Sequence, residues 1–163
     1  MSTPAAHDPN TSIEEQVREL MDRSQIEELV TRYAHAARKQ DVDVLMSLFL
    51  DAGASVDFGS AIEGTAGTRG TEDIRKMYEQ QIRDLQPWPT LANHLIEFHS
   101  PTEASGEVLF EFRSANDDYQ VRWIGFYQDT YVKHEGVWKF KTRKATVKHT
   151  PMLDVTRPDV TGV

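Results

Sequence analysis

Cysteine is absent from this chain of 163 residues, and positively charged residues are few. The absence of cysteine excludes disulfides, thiolate metal sites and cysteine nucleophiles. Lys and Arg number 18 against 26 Asp and Glu, which gives a net charge of −8 with neutral histidines. An acidic surface opposes sequence-independent binding to nucleic acid or to an anionic membrane, because both require positive charge on the protein. We therefore expect neither kind of partner.

Long hydrophobic runs are also missing from the sequence. No apolar stretch approaches the ~18–20 residues of a membrane span, and residues 1–11 lack the apolar centre of a secretion signal. A cytoplasmic protein is therefore expected. With 39% hydrophobic and 9% aromatic residues, the chain still has enough apolar material to form a core.

Proline and small polar residues concentrate at the two ends of the chain. This composition predicts mobile tails over residues 1–11 and 151–163. Residues 12–150 contain no repeat, no low-complexity tract and no linker rich in glycine, serine and proline. A single domain over residues 12–150 is the prediction.

The first half of the chain has the spacing of helices, with apolar residues recurring at steps of three and four. A capping-box pattern at Ser24 predicts that a second helix begins there and carries Tyr33 on its inward face. Asp41 and Thr71 are typical of helix N-termini and predict two further helices. Between these two helices, residues 54–59 alternate enough to predict one strand.

The second half of the chain changes to the spacing of strands. Residues with β-branched and aromatic side chains concentrate in the segments 91–99, 107–114, 118–133 and 137–148, which turn-like residues separate. This pattern predicts an antiparallel meander. Helices followed by strands is the α+β order, so we expect N-terminal helices packed on a curved antiparallel sheet, in a cone-shaped α+β barrel. A pocket lined by Tyr33 would lie between helix and sheet.

Several short segments together carry a family resemblance. They are Arg32-Tyr33-Ala34, Asp41-Val42-Asp43, Leu48-Phe49, Ser55 to Gly59, Asn93 to Glu97, Tyr127-Gln128-Asp129 and Gly136 to Arg143. In order and spacing they resemble the SnoaL-like branch of the nuclear transport factor 2-like superfamily over about residues 13–150. Its relatives include scytalone dehydratase, bile acid 7α-dehydratase, hexachlorocyclohexane dehydrochlorinase, polyketide cyclases and ketosteroid isomerase. The resemblance implies an α+β cone whose apolar pocket performs proton transfer without cofactor or metal.

Two residues are predicted to be catalytic on the strength of this resemblance. Tyr33 matches the helix tyrosine of ketosteroid isomerase and bile acid 7α-dehydratase, and a phenol there can stabilise a developing enolate in a dry site. His94 matches a strand histidine of scytalone dehydratase, and an imidazole with a pKa of about 6.5 can act as acid or base near neutral pH. The alternative is that both side chains only pack and form hydrogen bonds in the core.

Arg38 departs from the family pattern. The dehydratase and dehydrochlorinase relatives have an aspartate at this position that pairs with the catalytic histidine, so an Asp–His dyad built in that way is absent. His94 would need another carboxylate or a backbone carbonyl to orient its ring. Arg38 itself could hold a carboxylate or phosphate through paired hydrogen bonds. Alternatively, it is a helix-end cation near the negative end of the helix dipole.

Other candidate residues come from the same resemblance. Phe58 stands where scytalone dehydratase has a tyrosine, and Ser114 falls near that enzyme's second histidine. The general base of ketosteroid isomerase matches Phe58 or Asp57; strand alternation lets only one face the pocket, and we expect Phe58 inward. The predicted substrate-contacting residues are Arg38, Phe58, Trp88, Ser114, Trp123 and Tyr127. Arg113, Arg122 and Arg143 are further cationic candidates on strands, and the scattered histidines lack the spacing of metal ligands.

Two functions remain open at this point. One is a cofactor-independent lyase or isomerase acting on a small hydrophobic cyclic molecule, with Tyr33 polarising an oxygen and His94 moving a proton. The other is a non-catalytic ligand-binding or association domain, which the replacement of the aspartate by Arg38 favours. We expect the enzyme, with no cofactor and no metal. We also expect a homodimer or homotrimer, because long strands would leave apolar surface exposed in a monomer.

Overall fold

The computed structural model describes residues 12–59 and 65–149, and the predicted tails lie outside this part of the chain. Its helices are α1 (Ile13–Lys39), α2 (Val42–Ser47) and α3 (Thr71–Leu85), with a one-turn 3-10 helix at Ala115–Asp117. Its strands are β1 (Ser55–Asp57), β2 (Thr68–Arg69), β3 (Pro87–Ser100), β4 (Glu103–Ser114), β5 (Gln120–His134) and β6 (Val137–His149).

Helix α1 is continuous over 27 residues, and the predicted helix start at Ser24 is wrong. The capping box lies at Ser12 instead. The Ser12 hydroxyl accepts a hydrogen bond from the Glu15 N–H at 3.2 Å, and the Glu15 carboxylate accepts one from the Ser12 N–H at 2.9 Å. Ser24 lies exposed in the middle of the helix. A serine followed three residues later by glutamate fits a helix interior as well as a helix start, so the pattern alone could not place the end.

The helices after α1 begin where the sequence indicates. The Asp41 carboxylate accepts a hydrogen bond from the Val44 N–H at 3.0 Å, which caps α2. Helix α3 begins at Thr71, directly after Gly70 with its positive φ of 85°. Strand β1 lies between α2 and α3, inside the predicted segment 54–59.

The six strands form one open, mixed sheet in the order β2-β1-β6-β5-β4-β3. Strands β3 to β6 form the predicted antiparallel meander. Strand β1 pairs parallel to β6, with Ser55 opposite Thr142. No hairpin joins β1 to β6, so no tight turn holds them antiparallel. The α+β class is therefore confirmed, although the sheet includes one parallel pair and does not close.

The core lies between the helices and the inner face of the sheet. Alternation along β4 buries Val108 and Phe110 while Leu109 faces outward. In β3 this alternation is interrupted at Asn93, which has a φ of 53° and sits at a register shift between Ala92 and Leu95. No helix in the described part of the chain combines the length and apolarity needed to cross a membrane.

Candidate functional site

A small, mainly apolar cavity lies between α1, α3 and the inner face of the sheet. Its walls are mostly aliphatic and aromatic side chains. Their polar atoms come from Tyr33, Tyr78, Tyr127, Gln81 and the indole of Trp123. The volume of about 40 Å³ is room for a few water molecules. The sequence-predicted pocket between helix and sheet is therefore present, and it is narrow.

Three tyrosines converge on this cavity from three elements. Tyr33 lies on α1, Tyr78 on α3 and Tyr127 on β5. The Tyr78 phenol donates a hydrogen bond to the Tyr33 oxygen at 3.3 Å. Burial, and then the neighbouring Tyr33, raise the pKa of Tyr78 and of Tyr127 well above the ordinary value of a phenol. Both phenols therefore stay protonated at neutral pH and can donate hydrogen bonds.

Gln81 supplies a further donor to the cavity. Its amide nitrogen is buried and has no hydrogen-bond partner among residues 12–59 and 65–149. Gln81 and Trp123 also line a wide groove of about 890 Å³ outside the cavity. These two side chains therefore lie between the cavity and the groove.

A buried ion pair lies behind the phenols. The Arg143 guanidinium donates to Asp129 from Nε at 2.9 Å and from Nη2 at 2.7 Å, and both side chains are fully buried. Its central carbon is 4.0 Å from the ring centre of Tyr33 and 4.3 Å from that of Tyr127. Burial by itself would lower the pKa of Arg143, but the charge and hydrogen bonds of Asp129 raise it instead. Arg143 is therefore a permanent cation beneath the cavity floor.

The structure does not bring His94 to the cavity that Tyr33 lines. The half-buried imidazole contacts Tyr131, with Nε2 3.0 Å from the phenol oxygen, and Tyr131 donates to Asp129 at 3.0 Å. Burial lowers the pKa of His94, although Asp129 opposes the effect. Pro89 is the nearest residue of β3 that lines the cavity. His94 lies five positions further along β3, a rise of about 16 Å in a regular strand, and it is not among the residues that line the cavity.

The other predicted contacts divide into two groups. Phe58, Trp123 and Tyr127 line the cavity. Phe58 faces inward as expected, while Asp57 accepts a hydrogen bond from the Gly59 N–H at 2.7 Å. Ser114 does not line the cavity, because its buried hydroxyl donates to the Leu85 carbonyl and ties the end of β4 to α3.

Trp88 and Arg38 lie together outside the cavity. The flanking prolines of Trp88 line the cavity, so strand alternation turns the indole outward, where 38% of the residue is exposed. The guanidinium of Arg38 lies 5.1 Å from the Trp88 ring centre, and Nη2 is 3.4 Å from His35 Nδ1. Within the described residues, Arg38 is the half-buried arginine that has no carboxylate within ion-pair distance. A role in holding an acidic ligand stays a prediction.

Sequence reasoning missed Tyr78, Gln81 and the inward position of Asp129. Helical spacing from Ile74 indicated that Tyr78 faces the core. Strand alternation places Asp129 on the same inner face as Tyr127 and Tyr131, and a carboxylate there needs a cationic partner. Within the described ranges, no group of three acidic or histidine side chains could hold a metal ion.

Comparison with solved structures shows the same fold in several proteins. A scytalone dehydratase-like protein of Novosphingobium aromaticivorans DSM 12444 is 24% identical over 83% of this chain and 90% of its own, with a TM-score of 0.71. A type 2 hexachlorocyclohexane dehydrochlorinase, LinA, is 21% identical over 86% and 95%, with a TM-score of 0.69. A single-residue variant of Rv3472 of Mycobacterium tuberculosis, a protein of unknown function, is 20% identical over 93% and 88%, with a TM-score of 0.72.

The family is shown by sequence. No curated protein is significantly similar to the chain. The model of the SnoaL-like domain, however, matches residues 18–144, which include the three tyrosines, the Asp129–Arg143 pair and most of the sheet. The chain therefore belongs to the SnoaL-like family.

Proposed function

We propose that the cavity binds a small hydrophobic cyclic molecule and holds one of its oxygen atoms on the Tyr33 phenol, whose own oxygen accepts a hydrogen bond from Tyr78. The observation that carries this proposal is a cluster of hydrogen-bond donors in an otherwise apolar, aromatic cavity. The Gln81 amide adds a buried donor without a partner among the described residues. A buried unpaired donor is costly, and a ligand oxygen that accepts a hydrogen bond would remove that cost.

Binding requires the cavity to open. A cavity that holds a benzene ring has a volume on the order of 150 Å³, which exceeds the 40 Å³ present here. Gln81 and Trp123 are half-buried and stand between cavity and groove. We propose that these two side chains move when the ligand enters.

The chemistry that suits this cavity is proton transfer of the lyase or isomerase type, without a cofactor. Neutral phenols above the buried Arg143 cation can stabilise negative charge that develops on a substrate oxygen. Two of the fold relatives are named for a dehydratase and a dehydrochlorinase. Tyr33 would act as the donor to the oxygen. No carboxylate or imidazole is among the described side chains that line the cavity.

A second candidate function follows from that same lining. Without a carboxylate or imidazole among the described lining side chains, the cavity could bind its ligand and leave it unchanged. Catalysis and binding differ in one observable, which is whether the bound molecule is converted.

The test of binding compares two ligands of the same shape. Cyclohexanone has an oxygen where methylenecyclohexane has a carbon, so only the first can accept a hydrogen bond from a phenol. We expect Tyr33→Phe to weaken the binding of cyclohexanone by about 2- to 10-fold, the value of one neutral hydrogen bond, and to leave methylenecyclohexane unchanged. NMR titration measures both affinities. Tyr119→Phe is the matched control, because Tyr119 is exposed and packs on Trp88 away from the cavity.

Equal weakening for both ligands would show that the Tyr33 hydroxyl only packs, and would contradict the proposal. Turnover is tested by screening cyclic ketones, hydroxysteroids and aromatic alcohols for conversion. We expect Tyr33→Phe to lower the rate on a converted compound by on the order of 100-fold. Compounds that bind and are recovered unchanged would support the binding function.

A further inference from the structure

A chain of hydrogen bonds connects the half-buried His94 on β3 to the cation beneath the cavity. His94 Nε2 lies 3.0 Å from the Tyr131 oxygen, and the Tyr131 hydroxyl donates to Asp129 Oδ2 at 3.0 Å. Asp129 in turn accepts two hydrogen bonds from Arg143. Arg143 packs against the rings of Tyr33 and Tyr127, which line the cavity. The hydrogen bonds of this chain, from 2.7 to 3.0 Å, are of ordinary length.

This chain determines which nitrogen of His94 carries the proton. The Asp129 carboxylate, which is paired with Arg143, can only accept, so the single hydroxyl proton of Tyr131 is directed at it. The Tyr131 oxygen must then accept from His94, and Nε2 is the donor. In the neutral ring Nδ1 therefore has the lone pair, and Nδ1 is buried without a hydrogen-bond partner among residues 12–59 and 65–149. Burial, with the charge of Asp129, raises the pKa of Tyr131, so the phenol keeps its proton.

Gly106 on β4 lies beside the contact between His94 and Tyr131. A Cβ atom at residue 106 would lie 2.8 Å from His94 Nε2, 2.8 Å from the Leu95 carbonyl oxygen and 3.0 Å from a ring carbon of Tyr131. Its φ is outside the left-handed region, so backbone conformation does not require glycine here. The absence of a side chain at 106 therefore leaves room for the paired strand β3 and for the imidazole and phenol that meet there.

We propose that His94 is a positioning residue which, through Tyr131 and Asp129, fixes the Arg143 guanidinium beneath the cavity phenols and so sets their strength as hydrogen-bond donors. The charge of Arg143 acts against burial in setting the pKa of Tyr78 and Tyr127. A displaced guanidinium would therefore change how strongly both phenols donate. The ligand measurements below rest on the proposed function of the cavity, and the ligand-free measurements do not.

Charged side chains surround His94, so that a change in its protonation can affect the position of Arg143 beneath the cavity. Asp129 faces it from β5, Arg143 from β6, and Glu27 and Arg23 from α1. Protonation adds positive charge on the same hydrogen-bonded chain as Arg143. We expect the position of the guanidinium, and with it the phenols, to change as His94 titrates.

The ligand-free test uses NMR of the ring nitrogens of His94 and of the Cζ carbons of Tyr33 and Tyr127. In the wild type we expect the neutral ring to be protonated at Nε2. Tyr131→Phe should release this tautomer preference and shift both Cζ signals. His94→Leu should shift the same signals, and His94→Gln should restore them, because the glutamine amide can still donate to Tyr131. His99→Leu is the matched control: His99 lies exposed on the same strand and contacts Ser105.

The ligand-bound test uses the infrared carbonyl stretch and the affinity of bound cyclohexanone. We expect His94→Leu and Tyr131→Phe to change the stretching frequency and to weaken the binding of cyclohexanone by about 2- to 10-fold. The affinity for methylenecyclohexane should not change. The wild-type frequency should follow the titration of His94, and in His94→Gln it should be independent of pH. Melting temperatures establish that each variant is folded. Asp129 and Arg143 are left intact, because breaking a buried ion pair is strongly destabilising.

Two results would overturn the positioning role. One is a wild-type His94 protonated at Nδ1. The other is a pair of tyrosine Cζ signals that neither His94→Leu nor Tyr131→Phe moves in the folded protein. If cyclohexanone and methylenecyclohexane bind equally to the wild type, the proposed function fails, and the ligand-free signals still decide the role of His94.

Discussion

The half-buried imidazole of His94 makes the stability of the folded chain depend on pH. Burial lowers its pKa in the folded state below the ordinary value of 6.5, which the unfolded chain retains. Below about pH 6.5 the unfolded chain therefore binds more protons than the folded one. The contribution is fully present above that pH and is lost as the pH falls through the folded-state pKa. We expect a lower urea midpoint at pH 5 than at pH 8.

The variant His94→Gln isolates this effect from other titrating groups. It should reduce the difference between the two urea midpoints, because the glutamine amide does not titrate. His99→Gln should leave the difference as it is, since His99 is exposed. An unchanged pH dependence in His94→Gln would mean that other groups cause the loss of stability in acid.

The orientation of His94 could not be predicted from the alternation of residues along its strand. Odd-numbered residues of β3 face inward up to Leu91, and even-numbered residues face inward from His94 onward. The bulge at Asn93, with its positive φ, causes this change. Strand alternation correctly predicted Phe58 inward, because β1 is regular. It could not predict that a bulge would direct His94 to Tyr131, since an asparagine tolerates a positive φ but does not by itself indicate a bulge.

At the scale of elements, two substitutions test which capping patterns in the sequence cap a helix in the folded chain. Asp41 accepts a hydrogen bond from the Val44 N–H at the start of α2, whereas Ser24 has the same kind of sequence signature in the middle of α1. We expect Asp41→Ala to lower the free energy of unfolding by ~0.5–2 kcal/mol. Ser24→Ala should be neutral or raise it by up to about 0.5 kcal/mol, since alanine is the better helix former. Urea unfolding measures both, and a similar loss for Ser24→Ala would contradict the continuous helix.

Element pairing was less predictable than element type. The long strands β3 to β6 pair with their sequence neighbours, so the turns between them determine the order. Strand β1 has only three residues, and its parallel partner β6 lies about eighty residues away in sequence. Such a pairing depends on how the helices and the meander pack, which no local pattern records. The meeting of the three cavity tyrosines depends on this packing as well, because Tyr33, Tyr78 and Tyr127 lie on three separate elements.

At the scale of the whole molecule, the outer face of the sheet has an apolar patch formed by Leu109, Ile124 and Phe126. Leu109 is directly opposite Phe126 in the β4–β5 pairing. Leu109 is 43% exposed and Ile124 is 41% exposed, while Phe126 is half-buried. Large side chains grouped on an exposed strand face are typical of an association surface. The helices cover only the inner face, so in a monomer this patch contacts water.

We expect this outer-face patch to be buried in a homodimer or homotrimer, in line with the prediction from the sequence. Light scattering at micromolar concentration should give a mass of two or three times 18.6 kDa. Ile124→Lys should shift the mass toward that of one chain, because a lysine charge in an apolar interface loses its hydration without a partner. Gln128→Lys, an exposed position on the same face of β5, is the matched control. A wild-type mass of one chain, or dissociation by both variants alike, would contradict association through this patch. Because β5 also holds Tyr127 and Asp129 on its other face, association there would stiffen the strand that carries the cavity floor.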